Sequence, residues 1–149
     1  MPGENYEYRK KIEEMTEEEI RRQQEEVRDR EMPEIRTVDF VCDAREEVTY
    51  ECPEMTAVCP MTGIPDFYTI RITYVPDEKL PELKSLRFYL LAYRDIPILH
   101  EHLAAKIYED FIESVQPRSL HLELDVGVRG GIHTTVRVGD AEIGMRNEE

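Results

Sequence analysis

The sequence predicts an α+β fold, because strand-like, helical and hairpin segments follow one another in separate blocks. The clearest strand is residues 66–75, where apolar and aromatic side chains alternate along one face. Residues 82–94 and roughly 98–115 have apolar side chains three and four apart, which is typical of amphipathic helices. In the last segment, apolar residues recur at every second position on both sides of an Arg129–Gly131 turn, which is typical of a β-hairpin. The element order is therefore two strands, two helices and two strands.

Residues 1–34 are acidic and highly charged, and we expect them to form a helical extension outside the main domain. Thr16 with Glu19 three residues later is the pattern of a capping box. Glu and Arg residues spaced three or four positions apart support a solvated helix, which we expect to end before Pro33. We interpret this segment as an exposed, lightly packed helix that solubilises the chain. Residues 35–149 are expected to form the folded domain.

Within that domain, IRTVDFVC and EEVTYEC are short β-like runs that precede the strand at 66–75. The strand is predicted to bury Tyr68, Ile70, Ile72 and Tyr74. The first helix is predicted to bury Leu83, Leu86, Leu90 and Leu91, and the second has apolar positions at Leu99, Leu103, Ile107, Phe111 and Ile112. The alternating positions of the predicted hairpin are Leu120, Leu122, Leu124, Val126 and Val128 in its first strand, and Ile132, Thr134, Val136 and Val138 in its second.

Composition limits the classes of function. The 149-residue chain is long enough for one domain with a real core, and its 19 Lys+Arg against 33 Asp+Glu give a net charge of -14. This charge argues against direct nucleic-acid binding, which needs a basic surface. No apolar run reaches the ~18–20 residues of a membrane span, and the first residues have no apolar signal core. We therefore expect a soluble, cytoplasmic protein. Three cysteines make a disulfide framework unexpected.

Cys59 is the first candidate for chemistry. It lies in AVCPMTGIPD, where Pro60, Gly63 and Pro65 favour an exposed turn, and Asp66 opens the following strand. A thiol nucleophile needs access and a nearby proton donor or acceptor, which such a turn and carboxylate would supply. The alternative is a small apolar side chain in a bend, since free cysteines are usually buried and inert.

Two further clusters are candidates for ligand binding. In LHEHL, His100, Glu101 and His102 open the second helix, and a glutamate there can accept hydrogen bonds from a guanine-like edge. In ELKSLRFY, Lys84 and Arg87 lie three apart on one helical face and would suit a phosphate. Both patterns are also common on solvated helices.

A metal site is a weaker hypothesis. Cys52, Cys59 and the two histidines of LHEHL are ligand types that zinc accepts. The gap between the cysteines is wider than the C-x₂₋₄-C spacing of most structural zinc sites. We therefore predict no metal.

Taken together, these stretches resemble the single-domain 7-cyano-7-deazaguanine reductases, the QueF family of nitrile reductases in queuosine biosynthesis. The resemblance runs from about Thr49 to Val138 and leaves out the charged N-terminal segment. It includes ECPEMTAVCPMTGIPDF, YVPDEKLPELKSLRFYL, LHEHL and RGGI, in the family's order and approximate spacing. ELKSLRFY is similar to the family signature Glu-(Ser/Leu)-Lys-(Ser/Ala)-apolar-Lys-(Leu/Tyr)-aromatic.

The resemblance implies a tunnelling fold, in which ββααββ subunits associate into a ring with active sites between subunits. The family's usual assembly is two face-to-face pentamers, so a homo-oligomer (pentamer or decamer) is expected. The implied reaction reduces the nitrile of 7-cyano-7-deazaguanine, a small deazapurine, to a primary amine with two NADPH.

The resemblance also implies residue roles. Cys59 would add to the nitrile carbon and form a thioimide, Asp66 would be the acid/base group, and His100 would assist proton transfer or positioning. Glu101 would hold the deazaguanine edge. NADPH binding is implied for Glu82, Leu83, Lys84, Ser85 and Arg87. Arg87 stands where the family usually has Lys, which preserves the charge and alters the geometry.

Three alternatives remain at this point. An archaeosine-type amidinotransferase shares the Cys/Asp chemistry, but it lacks the NADPH signature and acts on tRNA, which a charge of -14 disfavours. A non-catalytic purine-binding ring protein would keep Glu101 and make no use of Cys59. A zinc cyclohydrolase of related fold would bind stoichiometric zinc. The sequence leaves open the roles of Cys42 and Cys52, and whether Arg129–Gly131 contacts the cofactor.

Overall fold

The structure is a computed structural model that describes residues 14–139. In chain order its elements are α1 (Glu17–Arg28), β1 (Thr37–Asp39), β2 (Val48–Val58), β3 (Pro65–Val75), β4 (Lys79–Pro81), α2 (Leu83–Leu91), a 3₁₀ turn (Ala92–Asp95), α3 (His100–Val115), β5 (Ser119–Arg129) and β6 (Ile132–Gly139). The predicted extension and domain also include residues 1–13 and 140–149, which lie outside the described residues. The division at residue 34 stays a prediction.

The main sheet is antiparallel and has the strand order β2-β3-β5-β6. It contains the predicted hairpin and the predicted strand at 66–75, and α2 and α3 come between its two halves. The α+β class is therefore confirmed. IRTVDFVC does not join this sheet: only β1 forms there, and it pairs with β4 in a separate two-stranded sheet. Ile35 at the start of this run is buried in the core, but Val38 and Val41 are exposed, so the run lacks the continuous apolar face of a main-sheet strand.

The core lies between the main sheet and the two helices. Tyr68, Ile70, Ile72 and Tyr74 of β3 are all buried, which confirms the predicted face. Tyr74 packs edge-on against Phe111 of α3, with ring centroids 5.1 Å apart. The other buried predicted positions are Leu86, Leu90, Leu103, Ile107, Leu120, Leu122, Leu124 and Val126.

Some apolar positions predicted to be inside are exposed. Leu83 and Leu91 of α2 are 58% and 47% exposed, because they face an open groove between α2 and β2 rather than the closed core. Ile112 is on the outer side of α3. Val128 and Ile132 flank the hairpin turn, beyond the area that the helices cover.

Helix α1 is anchored to the rest of the protein at its C-terminal end. The hydroxyl of Thr16 accepts from the Glu19 N–H at 3.1 Å, as the capping pattern predicts. The helix has no buried residue, although Val27 packs partly against the core. The ammonium group of the buried Lys106 in α3 donates to the carbonyl of Arg28 at 2.9 Å. Arg28 is the last residue of α1, where the helix dipole favours a positive charge. Among the described residues, no helix is long and apolar enough to cross a bilayer.

Candidate active site

The β2–β3 connection holds Cys59 in a loop closed by backbone hydrogen bonds. The N–H of Cys59 donates to Ile64 O, and the N–H of Gly63 donates to Cys59 O, both at 2.9 Å. Gly63 has a φ of 71°, a left-handed conformation that glycine adopts without steric cost. The thiol of Cys59 is free and partly buried. The local sequence therefore displays this cysteine in a fixed turn, as predicted.

The chain before α3 runs beside the end of β2 and brings the second motif to the cysteine loop. Val58 N–H donates to Ile96 O at 3.1 Å, and Ile98 N–H donates to Val58 O at 3.0 Å. This short parallel contact precedes α3, which begins at His100. Cys59 and LHEHL, about 40 positions apart, consequently lie at the same end of the molecule.

Asp66 is buried near the start of β3, beside the end of β2 that precedes Cys59. It pairs with Ala57, and its carboxylate points to the same side of the sheet as the buried Tyr68. The Oδ1 atom lies 3.1 Å from Nε of Arg129, whose guanidinium also donates to Pro65 O. The Oδ2 atom is buried and has no hydrogen-bond partner in the structure. An unpaired buried carboxylate oxygen is costly, so this atom is available to a hydrogen-bond donor.

Tyr68 connects the strand to His100. Its hydroxyl lies 3.0 Å from Nδ1 of His100, and the two rings meet edge-on. Burial raises the pKa of Tyr68 well above the usual tyrosine range, and the nearby charges of Asp66 and Cys59 raise it further. The hydroxyl therefore stays protonated at neutral pH and can donate to Nδ1, which orients the imidazole.

Glu101 completes this cluster from the solvent side. It is exposed in the first turn of α3, and its charge is close enough to contribute to the raised pKa of Tyr68. The structure thus brings together Cys59, Asp66, His100 and Glu101, the four residues predicted for the reaction and the purine.

The segment predicted to bind NADPH divides into two residues with structural partners, the partly buried Glu82 and the buried Ser85, and three exposed residues. Glu82 caps α2: its two carboxylate oxygens accept from Ser85 N–H at 3.0 Å and Lys84 N–H at 2.7 Å. The hydroxyl of Ser85 accepts from Arg36 N–H at 2.9 Å, so this side chain holds the preceding segment. Both residues have local structural partners, and a direct contact of either with cofactor stays a prediction.

The exposed members lie by an open groove between α2 and β2. Leu83 and Arg87 line a cavity of about 440 Å³ between α2 and β2, whose other walls include Met55 and Thr56. Lys84 is also exposed, one position from Leu83. The groove combines apolar walls with one cation, Arg87, and two carboxylates, Glu51 and Glu54. Arg87 can bind a phosphate, and the apolar walls can pack against a flat ring.

Sequence reasoning missed two residues of this site. Tyr68 was expected only in the core, although its spacing of two from Asp66 puts both on one face. The sequence did not show whether Arg129 contacts the cofactor or only belongs to the hairpin turn. In the structure its guanidinium forms an ion pair with Asp66. No sequence signal gives this contact, because Arg129 and Asp66 are 63 positions apart and meet only through the pairing of β3 with β5. Among residues 14–139, no group of three or more His, Cys, Asp or Glu side chains is placed to hold a metal ion.

A free thiol beside a buried carboxylate and a hydrogen-bonded histidine is typical of enzymes with a cysteine nucleophile. Comparison with known proteins gives the family of the chain. A sequence model of the family described as QueF-like protein matches residues 65–144. The chain belongs to the QueF-like family, as its motifs predict.

Curated relatives extend the match. Proteins of Anaeromyxobacter sp. (strain Fw109-5) and of Prochlorococcus marinus are 48% and 43% identical to this chain over 101 residues. The alignments cover 66% and 68% of this chain, and 83% and 73% of the relatives. Both relatives are named NADPH-dependent 7-cyano-7-deazaguanine reductase.

A solved structure supports the fold. The crystal structure of the archaeosine synthase QueF-Like in the apo form superposes with a TM-score of 0.58, at 19% identity. The match covers 66% of this chain and 95% of that one.

Proposed function

We propose that this protein is an NADPH-dependent oxidoreductase that reduces the nitrile of 7-cyano-7-deazaguanine to the primary amine, in queuosine biosynthesis. The names of the curated relatives give the substrate and the cofactor. The observation that carries the proposal is the buried, unpaired Oδ2 atom of Asp66 beside the strand that displays Cys59. A nitrile needs both a nucleophile at carbon and a proton at nitrogen, and this pair supplies them.

In the proposed mechanism, Cys59 adds to the nitrile carbon and a C–S bond forms. The thiol proton passes through Asp66 to the nitrogen, which gives a covalent thioimide without net loss of protons. Arg129 holds the Asp66 carboxylate by Oδ1 and leaves Oδ2 free for this transfer. Dividing a difficult reduction into easier steps is the usual advantage of covalent catalysis.

His100 and Glu101 act on the substrate around that centre. His100, oriented by the Tyr68 hydroxyl, positions the substrate or transfers protons to the nitrogen as the amine forms. Glu101 accepts hydrogen bonds from the purine edge, and its exposure leaves the carboxylate accessible to substrate.

We propose the groove beside α2 as the NADPH site. Arg87 and Lys84 would hold its phosphates, and Leu83 would pack against a ring. Two NADPH, bound in turn, would each supply one hydride. Between the two hydrides the C–S bond breaks and the Cys59 thiol leaves, so that the substrate carbon passes from thioimide through imine to amine. Glu82 and Ser85 contribute by fixing the start of α2, so that these side chains project from a rigid helix.

We also propose that copies of the chain assemble as a tunnelling-fold ring, a pentamer or a decamer, with sites between subunits. Within the described residues, β2 and β6 are edge strands of an open sheet, and such edges are ready to pair with another chain. The exposed Glu101 and the open groove along β2 are then completed by the neighbouring subunit.

The test follows NADPH absorbance with 7-cyano-7-deazaguanine as substrate, and two NADPH per amine are expected. Cys59→Ala should abolish turnover and the covalent adduct seen by intact mass, while Cys52→Ala should retain both. No NADPH consumption, together with ammonia-dependent modification of nitrile-bearing tRNA, would contradict the proposal and favour an amidinotransferase.

A further inference from the structure

Helix α1 lies beside the two segments that carry the proposed catalytic residues. Four of its side chains recur at intervals of three and four, which places them on one face of the helix: Ile20, Gln23, Gln24 and Val27. This face, which we call the inner face of α1, lines a mostly apolar cavity of about 190 Å³. Ile20 is 36% exposed and the other three residues are partly buried, whereas the rest of the helix is exposed. The inner face is therefore the side of α1 that meets the folded domain.

The opposite wall of this cavity is formed by the chain neighbours of the nucleophile and the histidine. Pro60 and Met61 follow Cys59 directly, and Leu99 directly precedes His100. Hydrogen bonds between the end of β2 and the chain before α3 already join these two segments. Helix α1 thus lies behind the unit that holds the thiol and the imidazole at the same end of the molecule.

The tip of the cysteine loop projects toward this cavity. Backbone hydrogen bonds close the loop between Cys59 and Ile64, and Met61 at the tip is 46% exposed. The Cys59 thiol is only partly buried, so the position of its sulfur relative to Asp66 depends on how the tip packs. The inner face of α1 supplies the helical wall on the cavity side of that tip.

Helix α1 is held in this place at its C-terminal end. Lys106 is 6% exposed, and its Nζ donates to Arg28 O at 2.9 Å and lies 3.6 Å from Asp110 Oδ2. Val27 and Met32, on either side of Arg28 in the chain, pack partly against the core. A helix of 12 residues is marginal by itself in water, so α1 depends on these contacts to stay folded and in place.

From this arrangement we propose that α1 is a positioning element of the active site: its inner face supports the cysteine loop, and Lys106 anchors the helix there. The inference rests on the proposed function, because it takes Cys59 as the nucleophile. The family model matches residues 65–144, so it does not include this helix.

The expected effect on Cys59 has two opposite parts. A loop held in one packing keeps the sulfur aligned with the substrate carbon, and a misplacement of about 1 Å can cost roughly 100-fold in rate. Without the support of α1, the loop opens more often. The thiol then becomes easier for a small reagent to reach, and slower to attack a bound substrate.

The test measures both reactions of Cys59 in the variants Ile20→Ala and Lys106→Met. The first is alkylation by iodoacetamide without ligands, followed by peptide mass spectrometry. The second is adduct formation with saturating 7-cyano-7-deazaguanine and no NADPH, followed by intact mass. We expect alkylation to be about fivefold faster and adduct formation about tenfold slower in both variants. Alanine is a better helix former than isoleucine, so a weaker helix does not explain the effect of Ile20→Ala.

The controls use the same two measurements. Cys52, on β2, should be alkylated at the wild-type rate in every variant. Glu25→Ala changes the exposed side of α1, and Asp110→Asn removes the ion pair of Lys106 while its bond to α1 remains; both should keep the two rates within about twofold of wild type. Ile20→Leu retains an apolar side chain on the inner face and should restore both rates.

Opposite changes in the two rates, with Cys52 unaffected, support the proposal. A change in thiol acidity alone would move both rates in the same direction, and global unfolding would also expose Cys52. Unchanged alkylation of Cys59, or faster alkylation with an unchanged adduct rate, overturns the proposal. If Lys106→Met does not fold by circular dichroism, the partly exposed Ile20→Ala site decides.

Failure of the proposed function is a separate outcome. A wild-type protein that forms no adduct with the nitrile refutes that function. Faster alkylation of Cys59 in the variants then still supports the role of α1 in holding the loop, and unchanged alkylation refutes both.

Discussion

The contact between Arg129 and Asp66 gives the most direct test of the site, through the substitution Arg129→Met. Methionine keeps most of the volume of the arginine stem and removes the guanidinium. The Asp66 side chain is 4% exposed, so the variant retains a buried carboxylate whose Oδ1 has lost its charged partner. Oδ2 has none to compensate.

The expected cost lies between two limits. Removing one partner of a fully buried ion pair costs about 3–5 kcal/mol, whereas an exposed pair is worth about 0–1 kcal/mol. One partner here is buried and the other, Arg129, is 41% exposed. We therefore expect a loss of about 2 kcal/mol in the free energy of unfolding, which corresponds to a Tm lower by about 4–8 °C.

The assay is a double-mutant cycle in urea at fixed protein concentration, with Arg129→Met, Asp66→Asn and the double variant. A coupling energy of about 1–2 kcal/mol is expected, because the two groups contact each other directly. Arg118→Met is the matched control: its ion pair with Asp77 is about half exposed on both sides and should change stability by less than about 0.5 kcal/mol. Additive single effects, or equal losses in Arg129→Met and Arg118→Met, would refute the reasoning.

The remaining predictions concern the histidine, the cofactor groove and alkaline stability. Tyr68→Phe should lower stability by about 1 kcal/mol and reduce kcat more than substrate affinity, because His100 loses its hydroxyl partner; urea unfolding and steady-state kinetics measure both. Arg87→Met and Lys84→Met should raise the KM for NADPH, whereas Arg94→Met, in an exposed pair with Asp95, should not; equal effects of all three would contradict the groove assignment. Burial raises the pKa of four tyrosines in the folded protein. The stabilisation from their protonated form is complete below pH ~10, and above that pH the free energy of unfolding should fall by about 1.4 kcal/mol per pH unit for each tyrosine. Phenolate absorbance should therefore appear together with unfolding. The four are Tyr68, Tyr74, Tyr89 and Tyr93. If their phenolate absorbance appeared near pH 10 while the protein stayed folded, the predicted loss of stability would be wrong.

Local sequence was sufficient for most of the regular elements and for the turn that holds Cys59. The alternation of Tyr68, Ile70, Ile72 and Tyr74 determined the buried face of β3, because successive side chains of a strand point to opposite sides. Gly63 and the two prolines determined the cysteine turn through backbone sterics alone. The family, too, was recognisable from the order of short motifs.

Tertiary structure decided which residues meet. The outward position of Leu83 depends on where α2 lies relative to β2, and periodicity does not contain that information. The contact of Arg129 with Asp66, the hydrogen bond of Tyr68 with His100 and the ion pairs of Glu123 with the neighbouring strands all depend on strand register and helix placement. Such register is set by the collective packing of the core over separations of tens of residues. The sequence alone therefore determined the groups available for chemistry, and the packed sheet determined their partners.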